Sequence, residues 1–193
     1  MSPLSPAFTL SPGQRAIWFA QQTNPASTEY QCAELLTFDT TVDVEVLSQV
    51  IADCLETLPV FQAHYAGPNE ATAWPHRITV ERCGTVAGDV QQWAAQRITE
   101  VADPALRGDT LTKHWLATLP DGRVMWLARF HHITGDGFAI NALLSWLGET
   151  YTARVTSKPL PENHLTCDYS TISDAKPTQE VADYWAHAGV SAP

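Results

Sequence analysis

The chain has 193 residues, of which 45% are hydrophobic, so it is long enough and apolar enough for one domain with a substantial core. Acidic residues outnumber basic ones 21 to 11 and no lysine–arginine cluster occurs; such a surface repels phosphate backbones and anionic lipid, which excludes nucleic acid and membranes as expected partners. The opening residues MSPLSPAFTL do not resemble a signal peptide, no stretch is long enough to span a membrane, and the four scattered cysteines are typical of a reduced cytoplasmic protein.

The first third of the chain predicts a helix, a strand and a second helix. LSPGQRAIWFAQQ is expected to be a helix in which Ser11 is the N-cap, Pro12 takes the first helical position and Gln14 completes a capping box. YQCAELLTF is typical of a strand. The second helix, capped by Asp43, is predicted over VDVEVLSQVIADCLETL, because its apolar residues recur at helical spacing. They form one stripe: Leu47, Val50, Ile51, Cys54, Leu55 and Leu58.

The middle of the chain predicts strands, a helix and a hairpin. VFQAHYA and HRITVERC are expected to be strands joined by the turn-rich segment GPNEATAWP. GDVQQWAAQRITEVA is predicted as an amphipathic helix with Val90, Trp93, Ile98 and Val101 facing inward. KHWLATLPDGRVMWLARFHH is typical of a β-hairpin, because its Pro-Asp-Gly turn ends at Gly122, where positive φ costs little.

The last part of the chain predicts two helices separated by a loop. After the histidine pair, a helix is indicated by apolar residues at helical spacing: Ile140, Leu143, Leu144, Leu147 and Tyr151. TSKPLPENHLTCDYSTISDAKP is expected to be a loop, and TQEVADYWAHAG a short final helix. Because helices alternate with strands and hairpins, the expected class is mixed α/β with a substantial sheet.

The paired histidines of FHHITGDGF lie at the end of the most apolar predicted strand, which we expect to be central. The two-residue period of a strand puts His132 on the face of Val124, Trp126, Ala128 and Phe130, and His131 on the other face. Adjacent histidines that point apart cannot both bind one metal ion, and no other His, Cys or acidic cluster has ligand spacing. No metal site is therefore predicted.

The residue types at this strand end leave two interpretations open. A neutral imidazole can accept a proton at physiological pH, and a well-placed general base accelerates a reaction by about 10²–10⁴-fold. Asp136 could then hold the loop or fix a histidine tautomer, and Gly137 would bring a backbone N–H to a helix start, where negative charge is favoured. Alternatively, two histidines and a capping aspartate simply end a strand and begin a helix.

The motifs of the chain resemble those of the condensation domains of non-ribosomal peptide synthetases. HHITGDG fits the HHxxxDG signature of that acyltransferase superfamily, which includes chloramphenicol acetyltransferase. LSPGQRAIWFAQQ resembles the opening motif of the family, LSxAQxRxWF, and ALRGDTLTKHWLATLPDGRVMWLARFHH resembles the segment leading into the signature. GETYTA and VADYWAHAG resemble later segments, the second being the helix that closes the first half of the domain. The resemblance covers nearly the whole chain in the family's order.

The resemblance implies a fold and a domain boundary. The expected fold is α/β, a chloramphenicol acetyltransferase-like sandwich of a mixed β-sheet with packed helices. Condensation domains have two such lobes, with the active site in a tunnel between them. Residues 1–193 are therefore expected to be the N-terminal subdomain, with the second lobe and later modules absent.

The resemblance also implies a reaction, partners and site residues. Amide bond formation is expected between an acyl thioester and an aminoacyl thioester, each held on the phosphopantetheine arm of a carrier protein. No cofactor or metal is expected to bind directly; the partners are the upstream and downstream carrier proteins and the C-terminal lobe. His132 is the catalytic residue, as a base, a group that positions the amine, or a group that stabilises the tetrahedral state. His131 and Asp136 are structural, and Gly137 lines the site and can offer its N–H to an oxyanion.

The chain departs from the family pattern at three places. Gln62 and His64 stand where the second motif of the family has arginines, so Asp136 lacks its usual partner, and Arg129 or a residue of the absent lobe is expected to replace it. Phe138-Ala139 replaces the common Trp-Ser and disfavours the epimerisation branch. Arg15 lies one position earlier than in the opening motif.

The start of the chain suggests a position in the synthetase, and two alternative functions stay open. The chain begins where a first module would begin, which favours an aryl or acyl starter of the kind that siderophore synthetases use. One alternative is an O-acyltransferase of the same superfamily with a CoA-bound or carrier-bound donor. The other is a non-catalytic interaction lobe, because half a tunnel cannot position two substrates. For the same reason the isolated lobe is expected to be inactive.

Overall fold

The computed structural model describes residues 6–99, 105–165 and 178–188. The strands are β1 (Pro6–Thr9), β2 (Gln31–Phe38), β3 (Ala63–His64), β4 (Glu70–Ala73), β5 (Val80–Thr85), β6 (Thr112–Thr118) and β7 (Val124–His131). The helices are α1 (Pro12–Thr23), α2 (Val44–Glu56), α3 (Val90–Ile98), α4 (Gly108–Leu111), α5 (Gly137–Val155) and α6 (Gln179–His187).

The main sheet is mixed, as predicted. Its strand order is β2-β7-β6-β5, in which β7 is antiparallel to both neighbours and β5 is parallel to β6. The predicted hairpin joins β6 to β7 through a turn in which Gly122 has φ +87°, a conformation that favours glycine. The prediction that β7 is central is confirmed, and every residue of this strand is buried.

Alternate residues of β7 serve cores on opposite faces of the main sheet. Trp126, Ala128 and Phe130 pack against the apolar stripe of α2 and against α5. Met125 and Leu127 pack on the other face, with side chains of α3 and β6. Helices therefore cover both faces of the sheet, which confirms the expected α/β class.

A small second sheet, of order β1-β4-β3, lies beside the main one and is antiparallel throughout. β4 lies inside GPNEATAWP, so the prediction of a simple turn was wrong there. Of the four residues of β4, only Ala71 is fully buried, so the sequence has no alternating apolar pattern from which to predict the strand. A core cluster against this sheet includes Leu10, Ala63, Tyr65 and Ile133. Ile133 directly follows His132, so the packing of this cluster holds the chain next to that histidine.

The predicted helix starts are confirmed. Ser11 and Gln14 form a reciprocal capping box at α1, and the Asp43 carboxylate accepts two backbone N–H bonds at the start of α2. The apolar stripe of α2 is buried along its length. α3 ends at Ile98, and Val101 lies outside the described residues. In the described ranges, no helix combines the length and apolarity that crossing a membrane requires.

Candidate functional site

The two histidines lie where the central strand of the main sheet ends. β7 ends at His131, residues His132–Thr134 form one turn of 3-10 helix, and α5 begins at Gly137. We call residues 132–136 the site loop. The His132 N–H donates to the Tyr30 carbonyl at 2.7 Å, which extends the β2–β7 ladder by one residue. The backbone at His132 is therefore held by the sheet.

The imidazole of His131 is fully buried and uses both of its nitrogens within the fold. Its Nδ1 lies 3.2 Å from the backbone nitrogen of Ile133, which can only donate. Nε2 must therefore carry the ring proton, and it donates to Oε1 of Gln21 at 3.2 Å. The hydrogen bonds fix both the tautomer and the orientation of this ring.

The surroundings of His131 keep it neutral. Burial lowers the pKa of His131 to about 4, and electrostatic interactions with the neighbouring His132 and Arg129 act in the same direction. A buried, neutral imidazole with two hydrogen bonds has no lone pair left for a substrate. These properties suit a structural residue.

His132 has different surroundings. Its half-buried ring lines a cavity of about 370 Å³, which we call the His132 cavity, together with Gln14 and Ile17 of α1 and with Thr134 and Asp136. Nδ1 is buried and has no hydrogen-bond partner among the described residues. The burial of Nδ1 leaves Nε2 as the ring nitrogen that a molecule in the cavity can reach.

The N-terminus of α5 borders the same cavity. Asp136 is the N-cap of this helix: its carboxylate accepts a hydrogen bond from the Ala139 N–H at 2.9 Å. Asp136 and Ala139 both line the cavity, and the free N–H groups of the first turn of a helix favour negative charge nearby. A polarised oxygen beside His132 would therefore be stabilised at this end of α5.

Gly137 is exposed at the edge of the His132 cavity. The described lining includes Gly135 but not Gly137. A Cβ added at Gly137 would meet no atom within 4 Å, so nothing described in this chain requires a glycine there for steric reasons. Phe138, the next residue, is 86% exposed. The first turn of α5 therefore presents an open backbone and an uncovered aromatic ring.

A second cavity, of about 410 Å³, lies on the other side of the first turn of α5. We call it the apolar cavity, because its lining is mainly aliphatic and aromatic and includes Leu58, Phe61 and Leu143. Thr134 and Ala139 line both cavities. Two small side chains are therefore the shared wall between the space beside His132 and an apolar space. Within the described ranges, no group of three or more His, Cys, Asp or Glu side chains is placed to bind a metal ion.

The order of motifs, the mixed sheet and the histidine at the strand end agree with one family. The family model described as "Condensation domain" matches residues 6–189. The chain belongs to the condensation domain family.

Several curated proteins are similar to this condensation domain chain. Isonitrile lipopeptide synthase of Mycobacterium tuberculosis is 28% identical over 85% of the chain and 7% of that synthase. Vanchrobactin synthetase VabF of Vibrio anguillarum is 21% identical over 89% of the chain and 7% of that synthetase. Enterobactin synthase component F of Escherichia coli is 21% identical over 95% of the chain and 15% of that protein. The chain thus spans a small part of each of these proteins.

Solved condensation domains have the same fold. The starter condensation domain of rhizomide synthetase has a TM-score of 0.75 at 17% identity, covering 96% of this chain and 50% of that one. A mutant of it in complex with C8-CoA gives 0.76 at 15% identity, covering 96% and 46%. The first condensation domain of the CDA synthetase gives 0.72 at 20%, covering 95% and 45%. The chain therefore spans about half of each.

Arg129 is not the partner of Asp136 in this condensation domain chain, so the first of the two expected alternatives was wrong, and a partner from the absent lobe stays a prediction. Arg129 is buried on β7, where its Nη1 donates to the Arg97 carbonyl at 3.5 Å and its guanidinium lies 5.9 Å from the Trp115 ring centre. No arginine of the described ranges forms a salt bridge with Asp136. The alternation of side chains along β7 turns Arg129 toward α3, which lies away from the site loop.

The substituted position of the second family motif also turns away from the site loop. Oε1 of Gln62 accepts a hydrogen bond from the His76 backbone N–H at 2.9 Å. Its Nε2 is buried and has no hydrogen-bond partner in the part of the chain that is described. Gln62 therefore serves the segment that follows β4.

Two residues of α1 contact the histidine segment in a way that the sequence pattern did not predict. Gln14 was predicted only as a capping residue and no role was predicted for Gln21, yet both side chains form hydrogen bonds with residues 131–133. The available signal was a pair of polar residues seven positions apart on the buried face of a helix.

Proposed function

We propose that this chain is the N-terminal lobe of a non-ribosomal peptide synthetase condensation domain, and that the complete domain forms an amide bond. The observation that carries the proposal is the placement of His132, whose ring lines a cavity beside the N-terminus of α5. The family match over residues 6–189 supports the same conclusion.

The reaction joins two thioesters held on the phosphopantetheine arms of an upstream and a downstream carrier protein. The amine of the downstream aminoacyl group attacks the upstream acyl carbonyl carbon, so a C–N bond forms. The C–S bond of the donor then breaks, the sulfur leaves as a thiolate, and the proton lost by the amine neutralises it. The elongated chain remains on the downstream carrier.

His132 is the residue that handles the amine. With Nδ1 buried, Nε2 is the nitrogen that faces a bound substrate, either accepting the proton of the amine or holding it in line for attack. The N–H groups at the start of α5, that of Gly137 among them, would stabilise the oxyanion. His131 and Asp136 hold the loop, through the Gln21 bond and the N-cap of α5.

A second lobe is the expected cover of this site. The chain spans about half of each related solved condensation domain. Phe138 is 86% exposed beside the site, and a side chain at Gly137 would meet open space. An aromatic ring exposed at a reaction centre is typical of a surface that another part of the protein covers.

We further propose that the donor carries an apolar acyl group, which extends past Thr134 and Ala139 into the apolar cavity. The two cavities share these residues as a wall, and the lining of the second is mainly aliphatic and aromatic. The complex of a related starter condensation domain with C8-CoA supports a donor of this class. The likeness to the vanchrobactin and enterobactin enzymes favours a siderophore product made in the cytoplasm.

The decisive experiment replaces His132 in the complete synthetase. His132→Ala should lower the rate of amide formation about 10²-fold or more, measured by mass spectrometry of carrier-bound product. The matched control is His187→Ala, on the exposed face of α6, which should keep the wild-type rate. A His132→Ala enzyme with a near wild-type rate and melting temperature would refute the assignment.

A second experiment tests the two-lobe part of the proposal. Residues 1–193 alone, given both loaded carrier proteins, should yield no amide, because one lobe provides one wall of the tunnel. Clear turnover by this chain would show that a single lobe suffices.

A further inference from the structure

Helix α1 carries two glutamines on its buried side. Gln14 is 9% exposed and Gln21 is fully buried. They lie seven residues apart, about two helical turns, so their side chains project from the same face. Burial of a primary amide is unfavourable unless its N–H and C=O groups are hydrogen-bonded. The partners of these two amides therefore show what the face is built to hold.

The partners of Gln21 define which way round its amide lies. Nε2 is within 3.1–3.4 Å of the carbonyl oxygens of Asn24, Pro25 and Ser27, which can only accept. This arrangement assigns the N–H groups of the amide to the chain turn after α1 and directs Oε1 to His131. Oε1 of Gln21 lies 3.2 Å from Nε2 of His131. This distance fits a hydrogen bond donated by Nε2, the nitrogen that must carry the ring proton because Nδ1 accepts from the Ile133 N–H.

Gln14 bonds the other side of His132. Its Oε1 accepts a hydrogen bond from the Ser11 N–H at 3.0 Å, so the amide orientation is fixed by the capping box. Its Nε2 donates to the Ile133 carbonyl at 2.9 Å. The residues immediately before and after His132 are thus both bonded to α1.

We propose that Gln14 and Gln21 are positioning residues that together set the direction of the His132 ring. The Nδ1 of His132 has no partner among the described residues, so hydrogen bonds to that atom do not hold the ring. The direction of the ring is instead set by the backbone at His132, because α1 forms hydrogen bonds with both His131 and Ile133. The effect on catalysis rests on the proposed function, whereas the effect on ring geometry does not.

The first test measures ring geometry in this chain by NMR of the imidazole nitrogens. In the wild type, His131 should show one neutral tautomer with the proton on Nε2. Gln21→Glu retains the acceptor but adds a charge beside the ring, and should raise the pKa of His131 by about 1 unit or more. Gln21→Met should shift the ring nitrogen signals of both His131 and His132. An Nδ1–H tautomer in the wild type, or unchanged signals in Gln21→Met, would overturn the proposal.

The second test measures catalysis in the complete synthetase. Gln14→Glu keeps the capping acceptor but cannot donate to the Ile133 carbonyl. We expect this variant and Gln21→Glu to lower kcat at least tenfold with little change in KM, because Glu has nearly the same size as Gln and keeps the shape of the His132 cavity, whereas the ring is misdirected. Gln22→Glu, exposed on the same helix, is the matched control and should keep wild-type kcat.

The two tests separate the possible failures. A lowered melting temperature with unchanged kcat in both variants would mean that the glutamines are merely structural, which overturns the proposal. If wild-type synthetase makes no amide, the proposed function fails, and the NMR measurement still decides whether α1 orients the ring.

Discussion

Two buried histidines should make this fold sensitive to acid. His114, on β6, is buried between the hairpin strands and the core. Its Nδ1 accepts a hydrogen bond from the Trp126 indole N–H at 3.3 Å, so Nε2 carries the proton and donates to the Thr112 hydroxyl at 2.7 Å. That hydroxyl donates in turn to the Arg129 carbonyl at 3.1 Å. Burial lowers the pKa of His114 to about 3, and that of His131 to about 4.

The size of the effect follows from these pKa values. The unfolded chain protonates its histidines near the ordinary value of 6.5, whereas the folded chain does so only near 3 and 4. Below pH 6.5 the unfolded state therefore binds more protons, and the free energy of unfolding falls until the folded pKa is passed. Between pH 7.5 and pH 5.0 each histidine should lower that free energy by about 2 kcal/mol, or about 4 kcal/mol together. A domain of this kind has about 5–15 kcal/mol in total.

Urea unfolding followed by circular dichroism at several pH values measures this loss. In His114→Gln the amide can replace both hydrogen bonds but does not titrate, so the loss between pH 7.5 and pH 5.0 should shrink to about 2 kcal/mol. A wild-type unfolding free energy that changes by less than about 1 kcal/mol over this range would refute the reasoning. So would an identical pH dependence in the variant.

Three further predictions concern single positions. Asp136→Asn keeps an acceptor for the Ala139 N–H and should retain more activity than Asp136→Ala. Asp136→Ala should also lower the free energy of unfolding by about 1 kcal/mol in urea titrations. If both variants lose equal activity at equal stability, the charge of Asp136 is the important property. Ala139→Trp should block the passage of an acyl chain from the His132 cavity into the apolar cavity. In competition assays the variant should therefore use long acyl donors less well relative to acetyl donors, and unchanged selectivity would mean that the acyl group binds elsewhere. Gly108→Ala should destabilise the chain by about 2 kcal/mol or more, because its Cβ would lie 2.5 Å from the Phe61 carbonyl oxygen; a thermal melt that matches the wild type would show that the backbone yields.

Local sequence patterns predicted the larger elements of this fold. The helical spacing of the α2 stripe, the caps at Ser11 and Asp43, and the Gly122 turn each depend on residues close together in the chain. β7 was predictable because a strand buried on both faces is apolar throughout. β1 and β4 were not predicted, since short strands that pair through their backbones leave little trace in residue type.

The site was predicted in its residues but not in its supports. The strand–loop–helix order placed His131, His132, Asp136 and Gly137 within one short segment, and the roles of these residues stay predictions. The contacts of Gln14 and Gln21 depend on how α1, which lies near the N-terminus, packs against the histidine segment more than 100 residues later. Arg129 was the wrong one of the two partners expected for Asp136, because its side chain points toward α3; within this chain the start of α5 uses the carboxylate.

The distance along the chain between α1 and the site loop has a consequence for biosynthesis. Gln14 and Ile133 are 119 residues apart in sequence and yet in contact. During translation α1 emerges early, and the Nε2 of Gln14 and the Oε1 of Gln21 lack their partners until β7 and the site loop have left the ribosome. Contacts of such long sequence separation form slowly, since the entropy of closing the chain must be overcome first. We therefore expect the His132 segment to reach its final geometry late in folding, after the β6–β7 hairpin that carries it.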